Sequence, residues 1–499
     1  MNPLRLLWRG RRKTRSGSRS DDLRRAPFSL QQTFLQLGRA DRLTWADAMT
    51  SVWLIGAAGS GKSSAVMSAM IISALRADAS VVFTTVKPSD ASQWTRLCHY
   101  EGRSARAFEL GVDRFNPLAH VQRTASLGAA VDAVTAECLI PLERQRRNGG
   151  GGDPHWRSDG ERFVRSIVTP FVLADIPITF RAVCDSLLNL PRSKNETYLN
   201  SWRQRNPAYA AIVAARERVA TATERDQLDR AAWFLLRTAP NLPHRTREST
   251  VSTVCAPLDP FAAPGLVGDT LNSDSDTWDP AECLQSPQVV VFDAAMQAWG
   301  PAGATVQRLL LNAVQRAALT RNLGTADHPI VIVADEAQEF LDHEADAAFM
   351  RTCRDRRACM LLATQCIGNI ADAASSARDP HAAAQKLLGL GGVKIFTATT
   401  DPATTRFASE VFAQRWQPRV SFGSQDQDGP KKPGLSSRQG RSSNFSRELT
   451  SDVPPHEFLA LARGGTENAW IVEAFISCSG RLWSSGRSSI KAAFAQTRV

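Results

Sequence analysis

Eight residues, Gly56 to Ser63, read G-A-A-G-S-G-K-S, and they constrain the fold more tightly than any other stretch of the 499-residue chain. The pattern G-x-x-x-x-G-K-[ST] needs a buried strand before it and a helix after it, because backbone N–H groups must curl round a polyphosphate. Both flanks fit. Val52-Trp53-Leu54-Ile55 is a short apolar run suited to a parallel strand, and Ser64 to Leu75 carries Val66, Met67, Met70, Ile71, Ile72 and Leu75 at helical spacing. Gly56, Ala57, Ala58, Gly59, Ser60 and Gly61 would present backbone to the phosphates. Lys62 would reach the β- and γ-phosphates, and the Ser63 hydroxyl would ligate Mg2+. Ser64 opens the helix whose N-terminal partial charge favours the anion. The loop therefore predicts ATP with Mg2+. A glycine-rich turn carrying a solvated lysine is the competing reading, and the strand and helix on either side argue against it.

The rest of the chain alternates short apolar strands with helices, as a parallel α/β sheet does. Strands are expected at Ser80–Thr84, Ala105–Leu110, Val289–Phe292, Ile330–Ala334, Met360–Thr364, Val393–Thr397 and Trp470–Phe475. Between about 121 and 245 the pattern turns wholly helical, which predicts an all-α domain inserted between a first part of the nucleotide-binding domain (31–120) and a second (246–499). Glu161 to Leu173 reads as one helix with a kink or break at Pro170, and Glu217 to Leu236 as one long helix. Gly149 to Gly152, beside Arg144, Arg146 and Arg147, reads as a flexible basic loop. Residues 416 to 447 shift to Ser, Gly, Gln, Pro and charge, and a mobile loop is expected there.

Charge is uneven. Residues 1 to 25 hold nine Arg or Lys against two Asp, so +7 of the net +11 lies in an N-terminal arm, 1–30, expected to be disordered. Nine cysteines without a C-x-x-C pair argue for reduced thiols and a cytoplasmic protein rather than a disulfide frame. No run of about 20 apolar residues exists, so no transmembrane segment is expected, and Leu4, Leu6, Leu7 and Trp8 are too few to form a signal segment.

The second half of a nucleotide site lies far downstream. Ile330 to Ala334 is followed by Asp335 and Glu336, and such a strand delivers two carboxylates to the phosphate edge of the sheet. Asp335 would hold the magnesium shell and Glu336 would orient and deprotonate the attacking water. Gln365 ends the next strand, where its amide can bond the γ-phosphate or the water. Between them Arg351, Arg354, Arg356 and Arg357 form a cluster suited to a finger acting on a neighbour's γ-phosphate.

Together these motifs resemble the type IV secretion coupling ATPases, the TraG/TraD-like conjugative DNA motors within the FtsK/HerA branch of RecA-like translocases. The resemblance runs from about 35 to about 480. It rests on G-A-A-G-S-G-K-S, V-K-P-S-D (Val86–Asp90), F-N-P-L (Phe115–Leu118), D-P-H-W (Asp153–Trp156), R-E-S-T (Arg247–Thr250), V-V-V-F-D-A ending at Ala294, V-A-D-E-A-Q (Val333–Gln338), A-T-Q (Ala363–Gln365) and T-D-P-A-T (Thr400–Thr404). It implies a RecA-like P-loop NTPase core with a parallel-rich sheet and an inserted all-α domain. It implies Lys62 and Ser63 as the phosphate and magnesium ligands, Asp335 and Glu336 as metal and catalytic carboxylates, Gln365 as the sensor, and Arg354 as the trans-acting arginine, with Arg356 and Arg357 as rivals. It further implies a homohexamer that pumps DNA, single-stranded and relaxase-linked, together with type IV secretion or relaxosome proteins. Two departures stand out: the family's N-terminal membrane helices are missing, leaving docking at the inner face of the membrane to the basic arm or to another subunit, and Thr85 replaces an aspartate common before V-K-P. An ATP-switched adaptor that recruits cargo without translocation, and a double-stranded DNA motor of the HerA or FtsK type, are the alternatives.

Overall fold

The computed structural model describes residues 28–126, 128–149, 154–324, 328–375, 377–425 and 440–497. The basic stretch 1–25, Gly150 to Gly152 and Asp153 lie outside them.

Side chains in the run before the phosphate loop alternate between two apolar cores. Val52 and Leu54 pack into one, Trp53 and Ile55 into the other, and all four are fully buried. Val331 and Val333 divide from Ile330 and Ile332 in the same way. A period of two with both faces apolar requires helices on both sides of a sheet. At roughly 1.5–3 kcal/mol per fully buried large aliphatic side chain, these strands form the stabilising centre of the molecule.

The described strands are β1 (Thr33–Gln36), β2 (Arg42–Thr44), β3 (Val52–Ile55), β4 (Ser80–Phe83), β5 (Arg106–Glu109), β6 (Val289–Asp293), β7 (Ile330–Ala334), β8 (Ala358–Thr364), β9 (Val393–Phe396), β10 (Gln414–Gln425), β11 (Gly440–Ser451), β12 (Ile471–Cys478) and β13 (Ser489–Ala495). Nine of them form one sheet in the order β13-β12-β9-β3-β8-β7-β4-β6-β5. From β9 to β5 every neighbouring pair is parallel, and β12 and β13 add an antiparallel margin. β8 lies between the phosphate-loop strand β3 and the carboxylate strand β7, so the carboxyl ends of all three share one edge.

A π-type turn, Lys62–Met67, runs from the loop into helix α1 (Ser68–Arg76), whose Met70, Ile71, Ala74 and Leu75 cover one face of the sheet. The other face carries the helical region, including α2 (Ala130–Gly149), α3 (Pro154–Ala174) and α4 (His244–Ala262), and also α5 (Met296–Thr320) and α6 (Ala345–Thr352). Every named element from Pro117 to Gln285 is helical, so the helical run extends past residue 245.

Three local expectations are corrected. Of the kink or break expected at Pro170, the break does not occur: α3 continues to Ala174, since buried Ile167, Val168, Phe171 and Val172 hold the turns on either side of the proline. The expected long helix from 217 to 236 is two helices. One ends at Arg218, and the next starts at Ala222 with Thr221 and Glu224 capping each other reciprocally. Residues 416 to 447 are no loop in their described part. β10 and β11 pair antiparallel from Gln414↔Ser451 to Gln425↔Gly440, because Trp416, Val420, Phe445 and Leu449 favour a pleated ladder. Trp416 and Phe445 stay 65% and 76% exposed on this two-stranded ribbon. No helix of the described residues is long and apolar enough to cross a membrane.

Candidate active site

The phosphate loop is pinned at both sides by neighbouring strand ends. Gly56 N donates to Thr364 O (3.2 Å) beyond β3, and Ala57 N donates to Ala398 O (2.9 Å). Ser60 Oγ bonds Thr397 Oγ1 at 2.8 Å. Gly61 adopts φ +81°, and a Cβ there would lie 2.3 Å from Val472 Cγ2, so this position needs glycine twice over. Lys62 is only 6% exposed, and its Nζ donates to Gly56 O (2.5 Å) and Ala57 O (3.1 Å). Burial pushes the Lys62 pKa below the usual lysine range, while Glu336 and Asp335 pull it back. The chain's far end closes the loop from the side: Gln496 Nε2 donates to Ser64 Oγ (2.9 Å), and Thr497 N donates to Ser64 O (2.7 Å).

Past β7, Asp335 turns its carboxylate onto the Ser63 hydroxyl, which donates to Oδ2. Burial raises the Asp335 pKa, and the Ser63 hydrogen bond opposes that rise. Glu336 sits at φ 51°, ψ 54°, a left-handed backbone rare for a non-glycine residue and often found where geometry serves function. Both oxygens of its carboxylate are held by amides. Gln365 Nε2 donates to Oε1 (2.9 Å) and Gln338 Nε2 to Oε2 (2.9 Å). Gln338 Oε1 in turn accepts from Thr364 Oγ1 (3.0 Å).

Residues 58–64 of the loop, Asp335, Glu336 and Gln365 line a cavity of about 310 Å³ together with Val86, Lys87, Asp90 and Gln93. A larger cavity of about 680 Å³ lies among the helices, lined by residues such as Arg162, Arg165 and Trp233. Convergent chemistry rather than size selects the first. Its donor set suits a polyphosphate: loop amides, a helix start and two lysines. The Ser63 hydroxyl and the Asp335 carboxylate, already bonded to each other, suit a hard cation that takes most of its shell from water and phosphate.

The four arginines separate by environment. Arg356 Nη1 donates to Arg321 O (2.8 Å), and Arg357 lies over the Phe28 ring at 5.8 Å from its centroid, so both fasten the local fold. Arg351 and Arg354 are exposed. All four precede β8, whereas Gln365 follows it, and the seven residues of that strand span roughly 20 Å.

No known family profile and no curated protein matches the sequence. Solved structures do match. One is the bacterial conjugative coupling protein TrwB in an unbound form, with a TM-score of 0.56 over 94% of this chain and 91% of that one, at 14% identity. The chain has the fold of TrwB. TrwB with a non-hydrolysable ATP analogue gives a TM-score of 0.56 at 13% identity over 94% of this chain and 92% of TrwB. TrwB with ADP and Mg2+ gives 0.54 at 13% over 92% and 87%. The α/β architecture with its mostly parallel sheet is thus shared with TrwB along nearly the whole length.

Sequence motifs placed Lys62, Ser63, Asp335, Glu336 and Gln365, and the structure brings all five to one cavity. They passed over Gln338, Gln496 and the cavity positions Lys87, Asp90 and Gln93 as site residues. Lys87 and Asp90 had a signal, the V-K-P-S-D stretch directly after a strand. Gln496 had none.

Proposed function

We propose that this chain is an ATP-driven motor that moves DNA in a conjugative, type IV secretion-like transfer. The observation that carries the reading is the pairing of a nearly complete hydrolytic cavity with an exposed arginine that cannot serve it. Arg354 stands a full strand length from its own Gln365, so it suits a neighbouring subunit's γ-phosphate. The TrwB fold supports the same reading, and TrwB itself has been seen with an ATP analogue and with ADP and Mg2+.

In this scheme the loop amides and Lys62 bind the β- and γ-phosphates. Ser63 and Asp335 would hold a magnesium ion, which would supply positive charge beside the transferring phosphoryl group. Glu336 orients and deprotonates water, Gln365 reads the γ-phosphate, and Arg354 of an adjacent copy completes the site. Such a shared site calls for head-to-tail contacts between copies, here closing into a homohexameric ring. The helical region meets the cargo, single-stranded DNA bound to a relaxase, with the ring on the cytoplasmic side of a secretion channel.

The test is ATP hydrolysis against protein concentration, with and without single- and double-stranded DNA. Specific activity should rise on assembly and with DNA. Lys62→Met and Arg354→Ala, each inactive alone, should recover activity when mixed, because each supplies the half the other lacks. Hydrolysis by a monomer at the same rate, indifferent to DNA, refutes the motor, and a silent mixture refutes the trans arginine.

A further inference from the structure

The catalytic carboxylate is not held by Gln365 alone. Gln338, two residues beyond Glu336, donates from Nε2 to Glu336 Oε2 at 2.9 Å, on the opposite oxygen from the one that Gln365 takes. Its own carbonyl is fixed by the Thr364 hydroxyl at 3.0 Å, so its amide cannot rotate without breaking two bonds. A carboxylate bridged at both oxygens has its plane fixed as well as its position, and the left-handed backbone at Glu336 restricts it further.

Gln338 is not among the residues that line the phosphate-loop cavity. It lines a second cavity of about 330 Å³, on the other side of the short turn Ala337–Glu339, together with Arg144, Met296, Glu339, Asn369 and Asp372. Arg144 belongs to α2 of the helical region, and its Nη2 donates to Glu339 O, the carbonyl next to Gln338. A second tie lies two turns earlier on α2. There Arg316 of α5 donates to Glu137 Oε2 (2.6 Å), and Glu137 is 1% exposed. The turn that carries Gln338 is therefore gripped on one side by the Glu336 carboxylate and on the other by α2 of the helical region.

We infer that Gln338 is a positioning residue for Glu336, and that α2, through Arg144 and the 337–339 turn, sets how well that carboxylate is aimed. The inference rests on the motor reading above and adds to it a route by which the helical region governs hydrolysis. A movement of α2 that shifts the turn by even part of an ångström changes the Gln338 amide and hence the direction of Glu336. Misplacement on that scale changes hydrolytic rates by roughly 10- to 100-fold.

Gln338→Met keeps the length and volume of the side chain but removes the donor. It should lower kcat for ATP roughly 10- to 100-fold while KM stays within about 2-fold, because phosphate binding is untouched. A residue that merely fills space would be replaced by methionine without loss. Arg144→Met should lower the DNA-stimulated rate, and Arg144→Met with Gln338→Met should be no slower than Gln338→Met alone, because both act through one turn. Near wild-type kcat in Gln338→Met, or effects of the two changes that multiply, overturns the inference. Hydrogen exchange supplies a readout independent of turnover: Arg144→Met should speed exchange of the amides at 336–341, and unchanged protection there overturns the link to α2. Wild-type protein that ignores DNA would sink the motor reading instead, and the exchange result would still decide this one.

Discussion

Asp346 offers the sharpest energetic test of how the site is supported. Arg308 of α5 and Asp346 of α6 are 1% and 0% exposed and meet through two bonds, from Arg308 Nη1 to Oδ1 (2.8 Å) and to Oδ2 (2.9 Å). The guanidinium also bonds Asn312, Gln315 and Phe340 O. Asp346 further accepts from Gln315 Nε2 (2.8 Å) and from Asp342 N (2.8 Å). Phe340 and Asp342 lie just after Glu336, so this hub anchors the segment that leaves the catalytic strand. Asp346→Ala strands a buried cation and two amide donors. Breaking one side of such a pair costs about 3–5 kcal/mol, and the donors raise the cost toward the upper end. That is a large share of the ~5–15 kcal/mol by which a domain is stable. Urea unfolding followed by circular dichroism should show the midpoint falling by more than about 1 M for an m-value near 3 kcal/mol/M. Arg308→Met with Asp346→Leu should regain most of the loss, since replacing both charges by apolar groups of similar size is close to neutral. A single variant that loses less than about 1 kcal/mol, or a double variant worse than either single one, would refute the reasoning.

Gly61→Ala should weaken nucleotide binding at least about 10-fold, since the left-handed backbone alone costs about 1–2 kcal/mol in a non-glycine residue and the new Cβ meets Val472. Val472→Ala should relieve the clash but not the backbone cost, so titration with a fluorescent ATP analogue should show partial rescue only. Lys62→Met should abolish binding in the same titration with an unchanged far-ultraviolet spectrum. His120 is buried, its Nε2 has no hydrogen-bond partner among the described residues, and burial holds its pKa below 6.5. His328 is lowered for the same first reason. In both, the unfolded chain takes up the proton first, so stability should be level above about pH 6.5 and fall as pH drops below it. His120→Phe should flatten part of that slope in unfolding curves measured from pH 7.5 to 5.5.

Legibility followed the locality of the cause. The phosphate loop could be read because its glycines, its lysine and the flanking apolar runs are contiguous. Asp335 and Glu336 could be read because an aliphatic strand immediately precedes them. β13 was missed because S-I-K-A-A-F-A alternates only weakly, which suits an edge strand with one wet face. The β10–β11 ribbon was missed because its serines, glycines and arginines outvoted a cross-strand pattern that emerges only when Trp416 is set opposite Leu449 and Val420 opposite Phe445. Gln338 was in plain view within V-A-D-E-A-Q, yet its importance depends on Thr364, 26 residues away. The environments of the four arginines were not legible at all: Arg356 and Arg357 are engaged with Arg321 and Phe28, whereas Arg351 and Arg354 are both exposed.

The bond from Gln496 to Ser64 joins residues 432 positions apart. At about 5–20 residues per second, a ribosome needs roughly 20 to 90 s to travel that far. For most of that interval the nascent chain carries its phosphate loop while β3 still waits for β8 and β9, and the loop then waits for β12 and Gln496. An apolar, unpaired strand therefore stands beside an unfinished loop until β8 and β9 have been made. The described shape of the phosphate loop therefore depends on residues 432 positions downstream of Ser64, and a chain stopped before them lacks the contacts that hold it.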